Sequence, residues 1–115
     1  MTNPNYIEVD GVKYVPESKK SLSGYSMVRT YSAGVFCGKI KERNGKEAVL
    51  EDARRIWHWK GAATLSQLSQ IGTSKPKDCK FPTPVSEVTL TEVIEIIPVT
   101  EEAKKSIDSV EVWKA

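Results

Sequence analysis

The dipeptide Asn44-Gly45 is the sequence feature that most constrains the fold. It separates two strand-like runs, residues 35–42 and 46–50. Asn-Gly between two such runs favours a two-residue turn with positive φ, which joins neighbouring antiparallel strands. The sequence therefore predicts a β-hairpin at this point and an antiparallel sheet built around it.

The other regular elements are predicted from periodicity and from end signals. Further strands are predicted at residues 25–31, 54–59, 88–97 and 110–113. Helices are predicted at 62–71, closed by Gly72, and at 101–109, capped by Thr100. The resulting order, β-β-β-β-α-β-α-β with the hairpins early, predicts an α+β fold. We expect a small single domain whose antiparallel, hairpin-rich sheet carries two short helices.

The N-terminal residues are predicted to be an addition to this domain. Asp10-Gly11 lies between two short runs that are rich in β-branched residues, and it predicts a second hairpin. A polar, serine-rich stretch follows these runs and is typical of a loop. We therefore expect a hairpin and loop appendage at residues 1–24 and the main α+β domain at residues 25–115.

Composition limits the functions that a chain of 115 residues can have. Its hydrophobic and charged fractions, 39% and 28%, are typical of a globular protein. The net charge of +2 is small, so affinity for phosphate groups must come from local clusters. No apolar run approaches the ~20 residues of a membrane helix, and the N-terminus lacks a signal-peptide pattern. We therefore expect a cytoplasmic protein without a membrane partner.

The sequence contains no pattern that predicts catalysis or metal binding. The single histidine, His58, has no carboxylate or nucleophile at triad spacing, and the cysteines form no Cys-x-x-Cys motif. Nucleophile-elbow, zinc-hydrolase and dinucleotide-binding motifs are also absent. We therefore predict that the protein is not an enzyme and that it needs no cofactor and no metal.

Residues 54–61, Arg-Arg-Ile-Trp-His-Trp-Lys-Gly, concentrate aromatic and basic side chains. If they form a strand, the period of two places Arg55, Trp57 and Trp59 on one face and the intervening residues on the other. Indole faces stack on nucleobases and guanidinium groups pair with phosphates, so this face suits a flat, anionic ligand. The alternative is that these tryptophans are core residues. Trp113 is expected to close the core.

Two further segments extend the predicted site. Arg29 and Tyr31 share a strand face, and the small residues 32–34 let backbone amides approach a ligand. Residues 60–64 begin the first predicted helix, whose unpaired amides and positive dipole end suit an anion. The alternatives are a tight turn and a helix start that bind nothing. The predicted ligand-binding residues are Arg29, Tyr31, Ser32, Gly34, Arg54, Arg55, Trp57, Trp59, Lys60, Gly61 and Thr64.

Three segments carry a resemblance to a known family. Val-Arg-Thr-Tyr-Ser-Ala-Gly-Val at 28–35 and Ala-Arg-Arg-Ile-Trp-His-Trp-Lys-Gly-Ala at 53–62 resemble a widespread family of small phage and prophage proteins of unassigned function. Residues 90–98 continue the resemblance, which covers roughly residues 27–113. It implies a bacteriophage context and provides no catalytic residues. Some phage proteins counter host defence by sequestering cyclic ADP-ribose isomers or cyclic oligonucleotides, and analogy with them implies a nucleotide sponge in the host cytoplasm.

The leading hypothesis is therefore a non-enzymatic binder of a small anionic nucleotide, with a signalling nucleotide as its ligand. The alternatives are a nucleic-acid-binding accessory protein, and an inhibitor of a host enzyme that uses Trp57 and Trp59 as interface hot spots. A chain this small encloses only part of a ligand. We therefore predict a homo-oligomer, a dimer or a small even-numbered ring of dimers, in which a second copy pairs with or covers the strand at 110–113 or the exposed end of the sheet. Arg29, Tyr31 and the Trp57 face should lie near the shared surface.

Overall fold

A computed structural model of the chain describes residues 21–115 and two N-terminal strands, β1 (Ile7–Val9) and β2 (Val12–Tyr14). These two strands pair antiparallel, with Val9 opposite Val12, as the sequence predicts. The predicted Asp10-Gly11 turn and the predicted serine-rich loop up to residue 20 lie outside the described residues. The predicted loop is wrong for residues 22–24, which belong to the first strand of the main sheet, Leu22–Thr30. The division into an appendage and a main domain stays a prediction.

The main domain is an antiparallel sheet of five strands in the order β6-β5-β4-β3-β7, and it carries two short helices. The α+β prediction is confirmed. The strands and helices are β3 (Leu22–Thr30), β4 (Val35–Asn44), β5 (Glu47–Arg55), α1 (Leu65–Gln70), β6 (Val85–Leu90), β7 (Val93–Thr100) and α2 (Glu101–Asp108). A short 3-10 helix, Pro76–Asp78, lies in the predicted loop between α1 and β6.

The predicted hairpin is confirmed, since Asn44 pairs with Glu47 around Gly45, whose φ is 61°. The predicted fourth strand at 54–59 is wrong, because β5 runs through the supposed link to Arg55 and then ends. Asp52 has a φ of 50° and lies at a register shift between β4 and β5. This left-handed residue interrupts the alternation of buried and exposed residues without ending the strand.

The predicted long strand at 88–97 is wrong, because the chain forms two strands on opposite edges of the sheet, β6 and β7. Only three residue steps join Leu90 to Val93, and they span at most about 11 Å. Four strand spacings in a flat sheet measure about 19 Å. The sheet must therefore curl, and the Val93 amide donates to the Lys46 carbonyl at 2.9 Å, at the tip of the β4–β5 hairpin.

Each face of the curled sheet carries a cluster of buried core residues. Neighbouring residues along β3 and β4 point to opposite sides, so Met27 and Cys37 join one core cluster while Val28 and Phe36 join the other. The helix-side cluster consists of Met27, Cys37, Ile56, Leu68, Cys79, Phe81, Val99, Ala103, Ile107 and Val110. The cluster inside the curl consists of Val28, Phe36, Ala48, Leu50, Ala53, Leu90 and Val93.

Both predicted helices are present and are capped by threonine. The Thr64 hydroxyl accepts the Gln67 amide at 3.1 Å, so α1 begins at Leu65 and not at the predicted residue 62. Gly72, with a φ of 89°, follows the end of α1 as expected. Thr100 caps α2 in the same way, through the Ala103 amide. No helix in the described part of the chain has the length and apolar character needed to cross a membrane.

The C-terminal segment differs from its prediction. Residues 110–113 form no regular strand, because Val112 makes only an isolated parallel bridge with Phe81. The Trp113 amide donates to the Phe81 carbonyl at 3.0 Å, but its side chain is 46% exposed. The prediction that Trp113 closes the core is therefore wrong.

Candidate functional site

Trp57 and Trp113, which we call the tryptophan pair, meet at the surface although they lie far apart in the sequence. Their ring centroids are 6.4 Å apart and their planes differ by 18°. The side chains are 61% and 46% exposed. Near-parallel indoles at this distance are in the range of stacked aromatic pairs. Two large apolar surfaces are thus held together in contact with water.

Trp57 is placed by the residue that precedes it. The Ile56 amide donates to the Val35 carbonyl at 2.7 Å, and the Ile56 side chain is buried in the helix-side cluster. The chain therefore remains anchored to the sheet for one residue beyond β5. Trp57 leaves this anchor on the side of the sheet that carries Arg55, and both side chains line the same groove. The predicted association of Arg55 with Trp57 agrees with this arrangement.

Arg54 points the other way and is buried under α2. Its guanidinium donates to the carbonyls of Ile107 at 3.0 Å, Val110 at 2.7 Å and Phe81 at 3.4 Å. Burial lowers the pKa of Arg54, but the ordinary pKa of arginine is so high that the group stays charged at neutral pH. The Phe81 carbonyl also accepts the Trp113 amide. Arg54, which we predicted as a ligand-binding residue, therefore supports the segment that carries Trp113.

A groove of about 370 Å³ lies beside the tryptophan pair. Phe36 and Arg55 also line it, as do Val85 and Val88 of β6. The Arg55 guanidinium lies 4.6 Å from the centre of the Phe36 ring. No carboxylate side chain from the described residues lines the groove. The walls are thus apolar and aromatic, and the charge they carry is positive.

Two cations, Arg55 and Lys80, border the tryptophan pair, and their donors have no partner among the described residues. The Lys80 ammonium lies 5.4 Å from the centre of the Trp113 ring. Neither Lys80 nor Arg55 forms a hydrogen bond through its side chain or an ion pair with any residue that the structure describes. Free guanidinium and ammonium donors next to exposed indoles can bind an anionic group on an aromatic ligand.

Trp59 does not join the pair, contrary to the predicted shared face. It is half-buried, packs against the helix-side cluster and donates from Nε1 to the Ala62 carbonyl at 3.2 Å. The period of two fails here because β5 ends at Arg55. Trp113 occupies the place expected for Trp59. No local pattern could identify it, since it arrives through the tertiary pairing of Val112 with Phe81.

Arg29 lies on the opposite face of the sheet from Arg55. It pairs with Val35, which packs on the helix-side cluster, whereas Arg55 pairs with Phe36 of the other cluster. Its guanidinium forms an exposed ion pair with Glu95 at 3.0 Å. The structure therefore separates Arg29 from the tryptophan pair, although the sequence analysis placed both in one site.

The turn after β3 satisfies much of its own hydrogen bonding. The Ser32 hydroxyl donates to the Glu92 carboxylate at 2.8 Å, and the Thr30 hydroxyl donates to the Gly34 carbonyl at 2.8 Å. Gly34 has a φ of 91°, and Tyr31 is highly exposed. These contacts agree with the alternative interpretation of this segment as a tight turn.

Backbone groups in the segment before α1 also form hydrogen bonds within the chain. The Gly61 carbonyl accepts the Ser74 amide at 3.1 Å, and the Lys60 carbonyl accepts the Thr73 hydroxyl. Thr64 caps the helix with its own side chain. The Ala63 amide donates to the Gln67 side chain at 2.8 Å and the Gln67 amide to Thr64. Two amides of the predicted anion site are therefore already bound within the chain, although Lys60 is exposed.

Gly61→Ala should destabilise the domain more than Gly34→Ala. Both glycines have positive φ, 83° and 91°, which costs a side chain roughly 1–3 kcal/mol. An added Cβ at Gly61 would lie 2.5 Å from the Lys75 amide nitrogen, whereas nothing lies within 4 Å of one at Gly34. Urea unfolding of both variants measures the difference. Equal losses would mean that the packing of residues 60–75 does not hold in solution.

Comparison with known families gives one match. A family model described as "Domain of unknown function (DUF6948)" matches residues 23–107, which include β3 to α2 almost completely. Searches of curated proteins and of solved structures give no significant match. The expectation of a family without assigned function is thus confirmed, while the phage context stays a prediction.

Proposed function

The chain belongs to the DUF6948 family of unknown function, and we propose that it is a non-enzymatic binder of a nucleotide. The base stacks on the tryptophan pair, and Arg55 and Lys80 bind the phosphate. Binding sequesters the ligand and leaves it chemically unchanged.

One observation carries this proposal: the tryptophan pair is exposed although its rings are only 6.4 Å apart. Apolar surface left in water forgoes about 25 cal/mol per Å² of stabilisation, and exposed apolar patches often mark binding sites. Every nucleobase has a flat face that stacks on an indole, for roughly 1–3 kcal/mol per base. A nucleotide therefore uses the surface that the fold leaves uncovered.

The charges beside the pair suit the rest of a nucleotide. Arg55 offers a planar fork of donors that matches two phosphate oxygens, and Lys80 offers a compact positive charge. The walls of the groove contribute no carboxylate from the described residues to repel a phosphate. Neither Arg55 nor Lys80 forms an ion pair with a described residue, so neither has to break one before it binds a phosphate.

The predicted biological role follows from the resemblance to phage proteins. In that role the ligand is an immune signalling nucleotide, a cyclic ADP-ribose isomer or a cyclic oligonucleotide, and the protein lowers its free concentration in the host cytoplasm. Stacking and phosphate pairing achieve this without a reaction. The phage context and the cytoplasmic location are part of this proposal.

Calorimetric titration tests the proposal, with cyclic ADP-ribose isomers, cyclic dinucleotides and AMP as probes. We expect at least one cyclic nucleotide to bind with a Kd below about 1 mM. Arg55→Lys should weaken that binding about tenfold, the loss of roughly one charge-assisted hydrogen bond. Arg29→Lys is the matched control, because Arg29 lies on the opposite face, and it should leave the Kd unchanged. Absence of binding by every probe would refute the proposal.

A second candidate function, binding of single-stranded nucleic acid, is favoured by a second cavity. It measures about 520 Å³ and shares Trp113 with the groove, and its lining includes one lysine, Lys77, and one carboxylate residue, Glu111. A strand could therefore pass over Trp113 from one cavity to the other, with lysines beside its phosphates. Such binding weakens steeply as salt rises, with a slope that counts the phosphate contacts. A titration of oligothymidylate at several salt concentrations distinguishes it from binding of a single nucleotide.

A further inference from the structure

We propose that two copies of the chain pair through their β6 strands, antiparallel about a two-fold axis. The second copy then supplies a wall that the ligand groove lacks. This goes beyond the proposed nucleotide binding, and its test requires no ligand. Of the two contacts predicted from the sequence, it selects an edge of the main sheet and not residues 110–113, which form no regular strand.

The strand β6 is an open sheet edge. It pairs with β5 on one side, and no other described strand pairs with it. Val85, Ser86, Glu87 and Thr89 are all exposed, so no other part of the described chain covers this strand. An edge strand presents unpaired amides and carbonyls, which pair readily with another strand.

The opposite edge, β7, is protected. Its Val93 amide donates a hydrogen bond to the Lys46 carbonyl at the hairpin tip, at 2.9 Å. Pro98 lies within the strand and has no amide hydrogen, and its carbonyl accepts the Gln70 side chain of α1 at 3.1 Å. Proline and covering elements are the usual means of preventing strand addition. The strand β6 has neither, so the two edges are chemically unequal.

The charge on β6 allows it to meet its own copy. Its single charged side chain, Glu87, forms an ion pair with Lys41 of β4 at 3.1 Å. Two β6 strands would therefore approach each other without uncompensated negative charge, and no lysine in β6 blocks the edge. An antiparallel pairing of identical strands about a two-fold axis is the isologous contact typical of dimers.

The proposed pairing also completes the site. Val85 and Val88 form the β6 side of the groove that contains Arg55 and Trp57. A strand added to β6 lies along this side, so residues of the second copy extend the wall. Ligand sites usually bury most of the ligand surface, which a groove open on one side cannot do.

Light scattering of the full chain across the micromolar range measures the assembly. We expect the mass of a dimer for the natural sequence and of a monomer for Ser86→Lys combined with Thr89→Lys, which places two charges on the exposed edge. Ile94→Lys is the control, because Ile94 is 48% exposed on β7, and it should remain dimeric. Unchanged circular dichroism confirms folding of each variant. A monomeric natural protein, or dissociation by Ile94→Lys alone, would overturn the proposal.

Cysteine cross-linking supplies a second, independent measurement. The native cysteines, Cys37 and Cys79, are buried, so new surface cysteines should react first. Cysteine introduced singly at Ser86, Glu87 or Thr89 should give a disulfide-linked dimer on mild oxidation for at least one position. Ile94→Cys should give none. If no β6 position cross-links, or if only Ile94→Cys does, the contact does not lie at β6, and nucleotide binding can still be tested separately.

Discussion

Arg54→Met is expected to lower the free energy of unfolding by about 3 kcal/mol or more. The guanidinium is the donor to three carbonyls, of Ile107, Val110 and Phe81. Methionine fills similar space but donates no hydrogen bond. The Phe81 and Ile107 carbonyls each keep a backbone donor, whereas the Val110 carbonyl loses the donor that Arg54 provides. Hydrogen bonds from a charged donor contribute about 1.5–3 kcal/mol each, so the loss of all three is costly. Arg54→Lys should recover only part of the loss, because one ammonium cannot reproduce the planar fork. Urea unfolding of each variant gives the values.

Arg55→Met is the matched control for this prediction. Arg55 is adjacent in sequence but lies on the groove side, over the Phe36 ring, so its replacement should cost less than about 1 kcal/mol. Circular dichroism also reports whether Trp57 and Trp113 remain stacked, because stacked indoles give an exciton band. That band should weaken in Arg54→Met, because Arg54 holds the segment that carries Trp113, and persist in Arg55→Met. Equal destabilisation by the two variants would contradict the assigned roles.

Trp57→Ala and Trp59→Ala are expected to have opposite effects. Trp57→Ala removes a stacking surface that is 61% exposed, so it should weaken nucleotide binding by roughly 5- to 150-fold, equivalent to about 1–3 kcal/mol. Its unfolding free energy should change by less than about 1 kcal/mol. Trp59→Ala removes a half-buried ring from the helix-side cluster and should cost roughly 2–3 kcal/mol of stability, below the value for a fully buried tryptophan.

Calorimetric titration and thermal unfolding of both variants separate these effects. Trp113→Ala should behave like Trp57→Ala, since the two rings form one surface. Equal losses of melting temperature in all three variants would favour the core interpretation of the tryptophans. A binding defect in both Trp57→Ala and Trp59→Ala, but not in Trp113→Ala, would restore the predicted face of Arg55, Trp57 and Trp59.

Local features of the sequence predicted much of the fold. The turn at Asn44-Gly45 and the caps at Thr64 and Thr100 depend on residues within a few positions, so their outcome was visible in the chain itself. The break between β6 and β7 depends on a distant partner, the Lys46 carbonyl. A continuous β-branched run gives no sign of such a contact, and the run was therefore predicted as one strand.

The sequence predicted only part of the site, namely Arg55 and Trp57. Arg55 and Trp57 share a groove because the Ile56 amide stays bound to the Val35 carbonyl after β5 ends at Arg55, so the alternation extends as far as Trp57. The second indole comes from Trp113, which tertiary contacts bring from the other end of the domain. The role of Arg54 was missed for the same reason: its partners lie in α2 and in the segments that follow the two helices.

The unequal edges of the sheet also bear on how far this protein can assemble. A sheet with two open edges can add copies at both ends and grow into a fibre, because each addition leaves a new edge. Here the β7 edge is closed by the hairpin tip, Pro98 and α1. Within the main sheet, strand addition can therefore occur only at β6, and once two β6 strands have met, the open edges of both main sheets are used. Growth through the main sheet ends at two copies, so its exposed edge strand can persist at high concentration without leading to amyloid-like polymers.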